Sequence, residues 1–349
     1  MSSSQNFVIL RRDFKMKKAV VILLLVFTSI TASAQLLYTI DEFLSARYYK
    51  ADYDTAYIGR PLGSKWTLAF RSYLNWTTYD ITGTAEDIPV GFHLRSELNP
   101  KLSIYAGYLG FGASLSRSFK KLAGKQEADW NFKFSTYGNR FGMAFSMSAI
   151  NSMKGYFSFR SDPYYITMDF DPEDTISQIS MYGNFYFAVN KKKFSYPAAF
   201  SYSYIQKHSA GSILIGGAVN VNITSVRLAL VDDSIKSSEM VHVTNAILGA
   251  GVGYAYNLVL KNNWMIHASV LPYLVVIGGT QYQLVDGEEK SSASEFPESF
   301  IVSRAAVIHT MGRWFAGGSG QLNFYNIRCD NLKASCREWE IIAFVGVRL

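Results

Sequence analysis

Arg140-Phe141-Gly142-Met143-Ala144-Phe145-Ser146-Met147-Ser148 decides the fold class. Phe141, Met143, Phe145 and Met147 take every second position, and Gly142, Ala144, Ser146 and Ser148 fill the places between. A repeat of two sets large apolar side chains on one face of an extended strand, whereas a helix would repeat near 3.6. The opposite face is small and polar. One face therefore meets grease and the other meets water or a loosely filled interior.

The same reading extends along the chain. Trp66, Leu68, Phe70, Leu74 and Trp76 oppose Thr67, Arg71, Asn75 and Thr77. Ile179, Met181, Phe185, Phe187 and Val189 oppose Ser180, Tyr182, Asn184 and Tyr186. Leu248, Val252, Tyr254 and Tyr256 face away from Asn245, Gly249, Gly251, Gly253 and Asn257. The expected strands cover 64–78, 89–98, 101–116, 129–138, 139–150, 154–160, 176–190, 193–207, 211–224, 244–258, 263–280, 298–310, 312–327 and 337–349. That makes fourteen, or twelve without the short 154–160 and the weakly alternating 89–98. Most run about ten residues or more, the length of a tilted membrane strand rather than the 5–6 typical of soluble sheets. Trp66, Trp76, Trp130, Trp264, Trp314 and Trp339 sit where aromatic girdles belong. The expected fold is an all-β, antiparallel transmembrane barrel of 12–14 strands over residues 64–349. An even count keeps both ends of the barrel on one side, with 225–243, 281–297 and 328–336 as long outer loops.

Composition agrees. Of 349 residues, 15% are aromatic and only 17% charged, with 26 Gly and 8 Pro. Five basic residues against Asp13 give residues 1–34 a charge of +4, leaving +3 of the total +7 for the rest. No basic stripe with interleaved aromatics appears, so no nucleic-acid partner is expected. Lys15-Met16-Lys17-Lys18, the apolar run Ala19 to Ile30, and Ala32-Ser33-Ala34 follow the order of a secretory signal peptide with cleavage after Ala34. The apolar run is too short to span a bilayer, which takes about 20 residues. After residue 34 no continuous apolar run reaches helix-spanning length, so membrane crossing requires strands. Residues 35–63 alternate poorly and read as a periplasmic segment, a lumen plug or a simple leader.

Chemistry is sparse. Cys329 and Cys336 read as a disulfide across a short loop or as two free thiols. Of the five histidines (His93, His208, His242, His267 and His309), His208 adjoins Ser209, but strand neighbours point to opposite faces. His267 shares a face with Ser269, which permits a dyad without requiring one. Asp232-Asp233 and Glu288-Glu289 read as solvated acidic loops. No catalytic residue, cofactor or metal site is expected.

Tyr53-Asp54-Thr55-Ala56-Tyr57-Ile58, Asn190-Lys191-Lys192-Lys193-Phe194-Ser195-Tyr196-Pro197-Ala198-Ala199-Phe200 and Gln206-Lys207-His208-Ser209-Ala210-Gly211-Ser212 carry a family resemblance. Tyr105 to Gly112 and Tyr137-Gly138-Asn139 add to it. On these residues the chain resembles the domain of unknown function 4421 family (DUF4421), exported barrel-like proteins of Gram-negative Bacteroidota. The resemblance implies an outer-membrane barrel and no defined activity. The middle block by itself reads as a turn, an alternating strand over 193–207 and a tight polar turn, with a recognition site at a strand end as the other reading. The last strand, Trp339 to Leu349, resembles the terminal strand that outer-membrane assembly machinery reads, although it ends in Leu rather than an aromatic. The expected role is transport, binding or envelope structure, with an unidentified ligand and the outer-membrane bilayer as surroundings. The alternatives are a barrel enzyme acting on envelope lipid or peptide, and a secreted soluble β protein.

Overall fold

The computed structural model describes residues 41–42, 45, 52–61, 64–85, 88–118, 129–151, 153–161, 164–169, 175–232, 235–283, 289–293, 298–329 and 332–349. The signal-peptide region, most of 35–51, Asp233 and Glu288 lie outside these residues. In chain order the strands are β1 (Ile58–Gly59), β2 (Trp66–Ala85), β3 (Ile88–Ser96), β4 (Lys101–Tyr108), β5 (Phe111–Ser118), β6 (Trp130–Tyr137), β7 (Phe141–Ile150), β8 (Met153–Ser161), β9 (Tyr164–Asp169), β10 (Thr175–Ala188), β11 (Ile205–Gln206), β12 (Ala210–Asp232), β13 (Ile235–Val259), β14 (Trp264–Gln283), β15 (Glu289–Ala293), β16 (Ser299–Met311), β17 (Trp314–Cys329) and β18 (Leu332–Arg348). A short helix, α1, covers Pro197–Phe200.

Twelve strands (β2, β4, β5, β6, β7, β10, β12, β13, β14, β16, β17 and β18) pair antiparallel in that order. β18 pairs with β2 from Arg348↔Thr67 to Leu332↔Gly83, which closes the ring. Trp66 and Leu349 exchange backbone hydrogen bonds of 2.9 and 2.8 Å at the seam. Closure leaves the wall without a free edge, the condition for strands to stand in lipid. We call the end with Trp66 and Leu349 the terminal end and the other the distal end.

The exposed face of the wall is the apolar one. Phe70, Ile104, Leu115, Phe141, Met143, Phe185, Ile213, Val252 and Val270 all point outward and are exposed, and most of the residues between them are less exposed and face the interior. Trp66, Trp264 and Trp314 begin strands at the terminal end, and Trp76 stacks on Trp339 further up, with ring centroids 5.5 Å apart. Ten residues separate Trp66 from Trp76 on β2. At about 3.3 Å per residue and a tilt of about 40°, this is a rise of roughly 25 Å, the height of an outer-membrane apolar band. A bulge at Leu248/Gly249 turns both Val276 and Ile277 outward on β14.

Three expected elements change. Residues 101–116 are a hairpin, not one strand: Leu109 and Gly110 both have positive φ and turn the chain between β4 and β5. Residues 89–98 are real, but β3 and β4 pair successively with the distal and terminal halves of β2, so together they make one descending wall strand. β8 pairs with β3, and β9 with β8, extending the wall at the distal end. Residues 193–207 are not a wall strand. They fold into the lumen, with α1 and β11 within them. Without that strand in the count, β9 (Tyr164–Asp169) falls at the distal end.

Of the two readings of Cys329 and Cys336, the strand register fits free thiols rather than a bridge. Cys329 lies opposite Leu332 and Cys336 opposite Tyr325. That four-residue offset is roughly 13 Å at the strand rise, beyond the ~7 Å Cα reach of a disulfide. Cys336 is a free, buried thiol.

Candidate functional site

The connection from β10 to β12, residues 189–209, enters the lumen from the terminal end. Asn190–Lys193 forms a turn closed by Phe194 N–H donating to the Asn190 carbonyl at 3.0 Å. Pro197 starts α1, where its missing N–H costs nothing. Phe194, Ser195, Tyr196, Ala198, Ala199 and Tyr202 are all buried against the inner wall.

Wall side chains pin this plug. Asn257 of β13 donates to the Ser195 carbonyl at 2.8 Å and to Gln206 Oε1 at 3.0 Å. Gln206 Oε1 also accepts from Ser195 N–H at 2.9 Å, and its Nε2 donates to the carbonyls of Lys193 and His208 at 2.6 and 2.9 Å. Arg304 of β16 donates to the Tyr196 hydroxyl at 3.0 Å, and Arg348 of β18 to the Tyr202 carbonyl at 2.7 Å. Tyr202 stacks on Phe315 and packs on Phe344, with centroids 4.5 and 4.6 Å away. The N-terminal stretch straps the plug: β1 pairs with β11, and Asp54 N–H donates to the Lys192 carbonyl at 2.8 Å. Arg60 hydrogen-bonds Tyr204, and Lys191 pairs with Asp52.

Further towards the distal end a second layer crosses the lumen. Gln178 of β10 bonds Tyr79 of β2 and Asn222 of β12. Asn222 donates to Asn220 at 2.6 Å, and Asn220 donates to the Tyr325 hydroxyl of β17 at 2.9 Å. Each hydrogen bond satisfies a group that would cost about 1–3 kcal/mol if buried alone. Between plug and bridge lies a partly open cavity. Phe200 and Tyr202 of the plug line it, as do Ser114, Ser146, Ser148, Ser180 and Asn131 of the wall. Arg71, Lys133, Arg304, Glu338 and Glu340 are its charged residues. Lys133 and Glu340 form an ion pair across it, and Asn323 donates to Glu338 at 3.0 Å.

The residues singled out in the sequence are dispersed. His267 is fully buried under the plug; its Nδ1 lies 2.6 Å from Asn257 Oδ1, and its ring packs on Tyr196 and Phe200. Neither His267 Nε2 nor Ser269 Oγ has a hydrogen-bond partner, so this pair makes no dyad. His242 bonds Ser225 Oγ at 2.9 Å across β12 and β13, and among the described residues no carboxylate backs it. His93 bonds Asp80, His309 stacks on Trp264, and His208 packs edge-on against Tyr57. Among the described residues no group of three or more His, Cys, Asp or Glu side chains could hold a metal ion.

No curated protein matches the chain. The outer membrane protease OmpT from Escherichia coli is similar at 6% identity over 82% of this chain and 98% of that chain, with a TM-score of 0.44. The translocator domain of the autotransporter NalP from Neisseria meningitidis is similar at 9% identity over 92% and 99%, TM-score 0.34. The β domain of the Bordetella autotransporter BrkA is similar at 8% identity over 82% and 100%, TM-score 0.34. At such values the fold rests on the strand pairing itself. The family model described as Domain of unknown function (DUF4421) matches residues 52–348, which take in the strap, the plug and the wall from β2 to Arg348. On that span, the chain belongs to the DUF4421 family.

Proposed function

We propose that this protein is an exported outer-membrane barrel whose lumen is closed at rest and which holds a small polar solute in its internal chamber. It belongs with transport and binding barrels rather than with open diffusion pores. The plug carries this reading. Residues 194–206 sit inside the wall on hydrogen bonds from β13, β16 and β18, with the strap across their base. The apolar outer band and the two tryptophan levels support insertion in a bilayer. The signal-like segment at 1–34 supports export. The expected outer loops 225–243 and 328–336 are largely strand, and β12, β13, β17 and β18 run on past the Trp76–Trp339 level at the distal end; extensions of that kind lie outside the cell in such barrels, which supports a periplasmic place for the plugged terminal end. The role proposed is binding or transport rather than catalysis.

Outer-membrane fractionation, heat-modifiable gel migration and planar-bilayer recording test this together. Expected are recovery in the outer membrane, faster migration of the unheated band, and a closed baseline with rare openings. Recovery in the soluble periplasm, or a large steady conductance, would overturn it.

A further inference from the structure

We propose that the chamber is a binding site for an anionic carbohydrate, with Arg71 and Arg304 as the residues that hold its carboxylate or phosphate. This rests on the closed-lumen reading above and names its solute.

Arg71 is 5% exposed and lines the chamber from β2. Its Nη1 donates to the Tyr73 hydroxyl at 3.3 Å, while Nε and Nη2 have no partner. The guanidinium lies 3.8 Å over the Tyr105 ring and 5.3 Å from that of Tyr202. Arg304, also buried, spends Nε on Gln321 and Nη1 on the Tyr196 hydroxyl. Among the described residues neither arginine has a carboxylate at ion-pair distance. The chamber's two carboxylates are engaged elsewhere, with Lys133 and Asn323. A buried cation left with aromatic and hydroxyl neighbours is costly, and an oxyanion meeting the free edge of a planar guanidinium removes that cost.

The rest of the chamber defines the body attached to the anion. Its wall offers serine hydroxyls and asparagine amides, and its floor offers the rings of Phe200 and Tyr202. Hydroxyl-rich molecules with C–H faces match hydrogen-bonding walls over aromatic rings. Phe134, Phe145, Ile150 and Ile342 share the wall with these polar groups, so the buried arginines and the ring of hydroxyls and amides, rather than a lack of apolar surface, select an anionic, hydroxyl-rich body.

Calorimetric titration of the purified, folded barrel in detergent tests this with four probes: glucuronate, glucose 6-phosphate, glucose and inorganic phosphate. Expected is binding of glucuronate or glucose 6-phosphate, at least tenfold tighter than glucose or phosphate. Arg71→Gln and Arg304→Gln should each weaken it at least tenfold, and Arg71→Lys should weaken it less because the charge remains. Heat-modifiable migration confirms that each variant is folded. Failure of both anionic sugars to bind, equal binding of glucose, phosphate binding as tightly as the sugars, or indifference to both arginine variants would each overturn the proposal. The closed-lumen reading stands or falls separately on the bilayer recording: an open pore that still binds glucuronate through Arg71 would refute the closure and keep the site.

Discussion

Arg348, the last residue of the closing strand, is buried at the terminal end and donates its Nε–H to the carbonyl oxygen of Tyr202 at 2.7 Å. Tyr202 carries a φ of 59°, a left-handed conformation that costs a side-chain-bearing residue roughly 1–2 kcal/mol. The contact to Arg348, together with the rings of Phe315 and Phe344, holds the plug's return limb in this conformation. Arg348→Met keeps volume and removes the donor. A hydrogen bond from a charged group contributes about 1.5–3 kcal/mol, so plug openings should become about ten- to a hundredfold more frequent. Bilayer recordings should show those openings as bursts. Baseline indistinguishable from the parent would mean that Arg348 does not hold the plug.

The lipid face predicts a different pattern. Val270 on β14 is half exposed, between the two tryptophan levels. A side chain against fluid lipid tolerates growth but not charge. Val270→Leu should leave refolding stability within about 0.5 kcal/mol, whereas Val270→Arg should cost about 2–4 kcal/mol near mid-band. Urea-dependent folding into vesicles measures both. A cost of 1–3 kcal/mol for the leucine variant would indicate a tightly packed neighbour, as in a dry core.

Cys336 offers a third check. It is buried beside Tyr325 and Tyr79, and the register keeps it away from Cys329. The folded protein should migrate identically with and without reductant. In a Cys329→Ser background, a maleimide should label Cys336 only after denaturation. Rapid labelling of the folded protein would place that thiol in water and misassign the inner face of β18.

The outward faces were legible because lipid imposes one rule on every wall strand. The alternation of Phe141, Met143 and Phe145, or of Trp66, Leu68 and Phe70, is the direct trace of that rule. The plug was not legible for the same reason in reverse. Phe194, Tyr196, Phe200, Tyr202 and Tyr204 fall on even positions and so mimic a strand, yet they fill the lumen rather than face lipid. Pro197 within that run was the available warning, since a central strand cannot accept the lost N–H. The 101–116 hairpin hid behind Leu109, whose positive φ no sequence rule anticipates. Arg71 and Arg304 lie on the inward parity, and a lone cation on that face was the readable sign of the chamber. What could not be read was which other strands deliver carboxylates to the same height. That depends on the stagger around a closed ring, a property of the whole wall.

Gln206 tests the plug as a folding unit. One side chain serves Ser195 N–H, Asn257, and the carbonyls of Lys193 and His208. Gln206→Ala strands at least one buried amide and two carbonyls, at about 3 kcal/mol or more. Gln206→Glu should fail as well, because an acceptor-only carboxylate would face the carbonyls of Lys193 and His208. The wall ladders of β12, β13 and β14 do not use this side chain, so their stability should persist. Hydrogen exchange followed by mass spectrometry separates the two. Amides in 194–206 should exchange on the order of a hundredfold faster in either variant, while peptides from β12 to β14 keep their protection. Equal acceleration of plug and wall would show that they open together, and the plug would then be a structural core of the barrel rather than a gate seated within it.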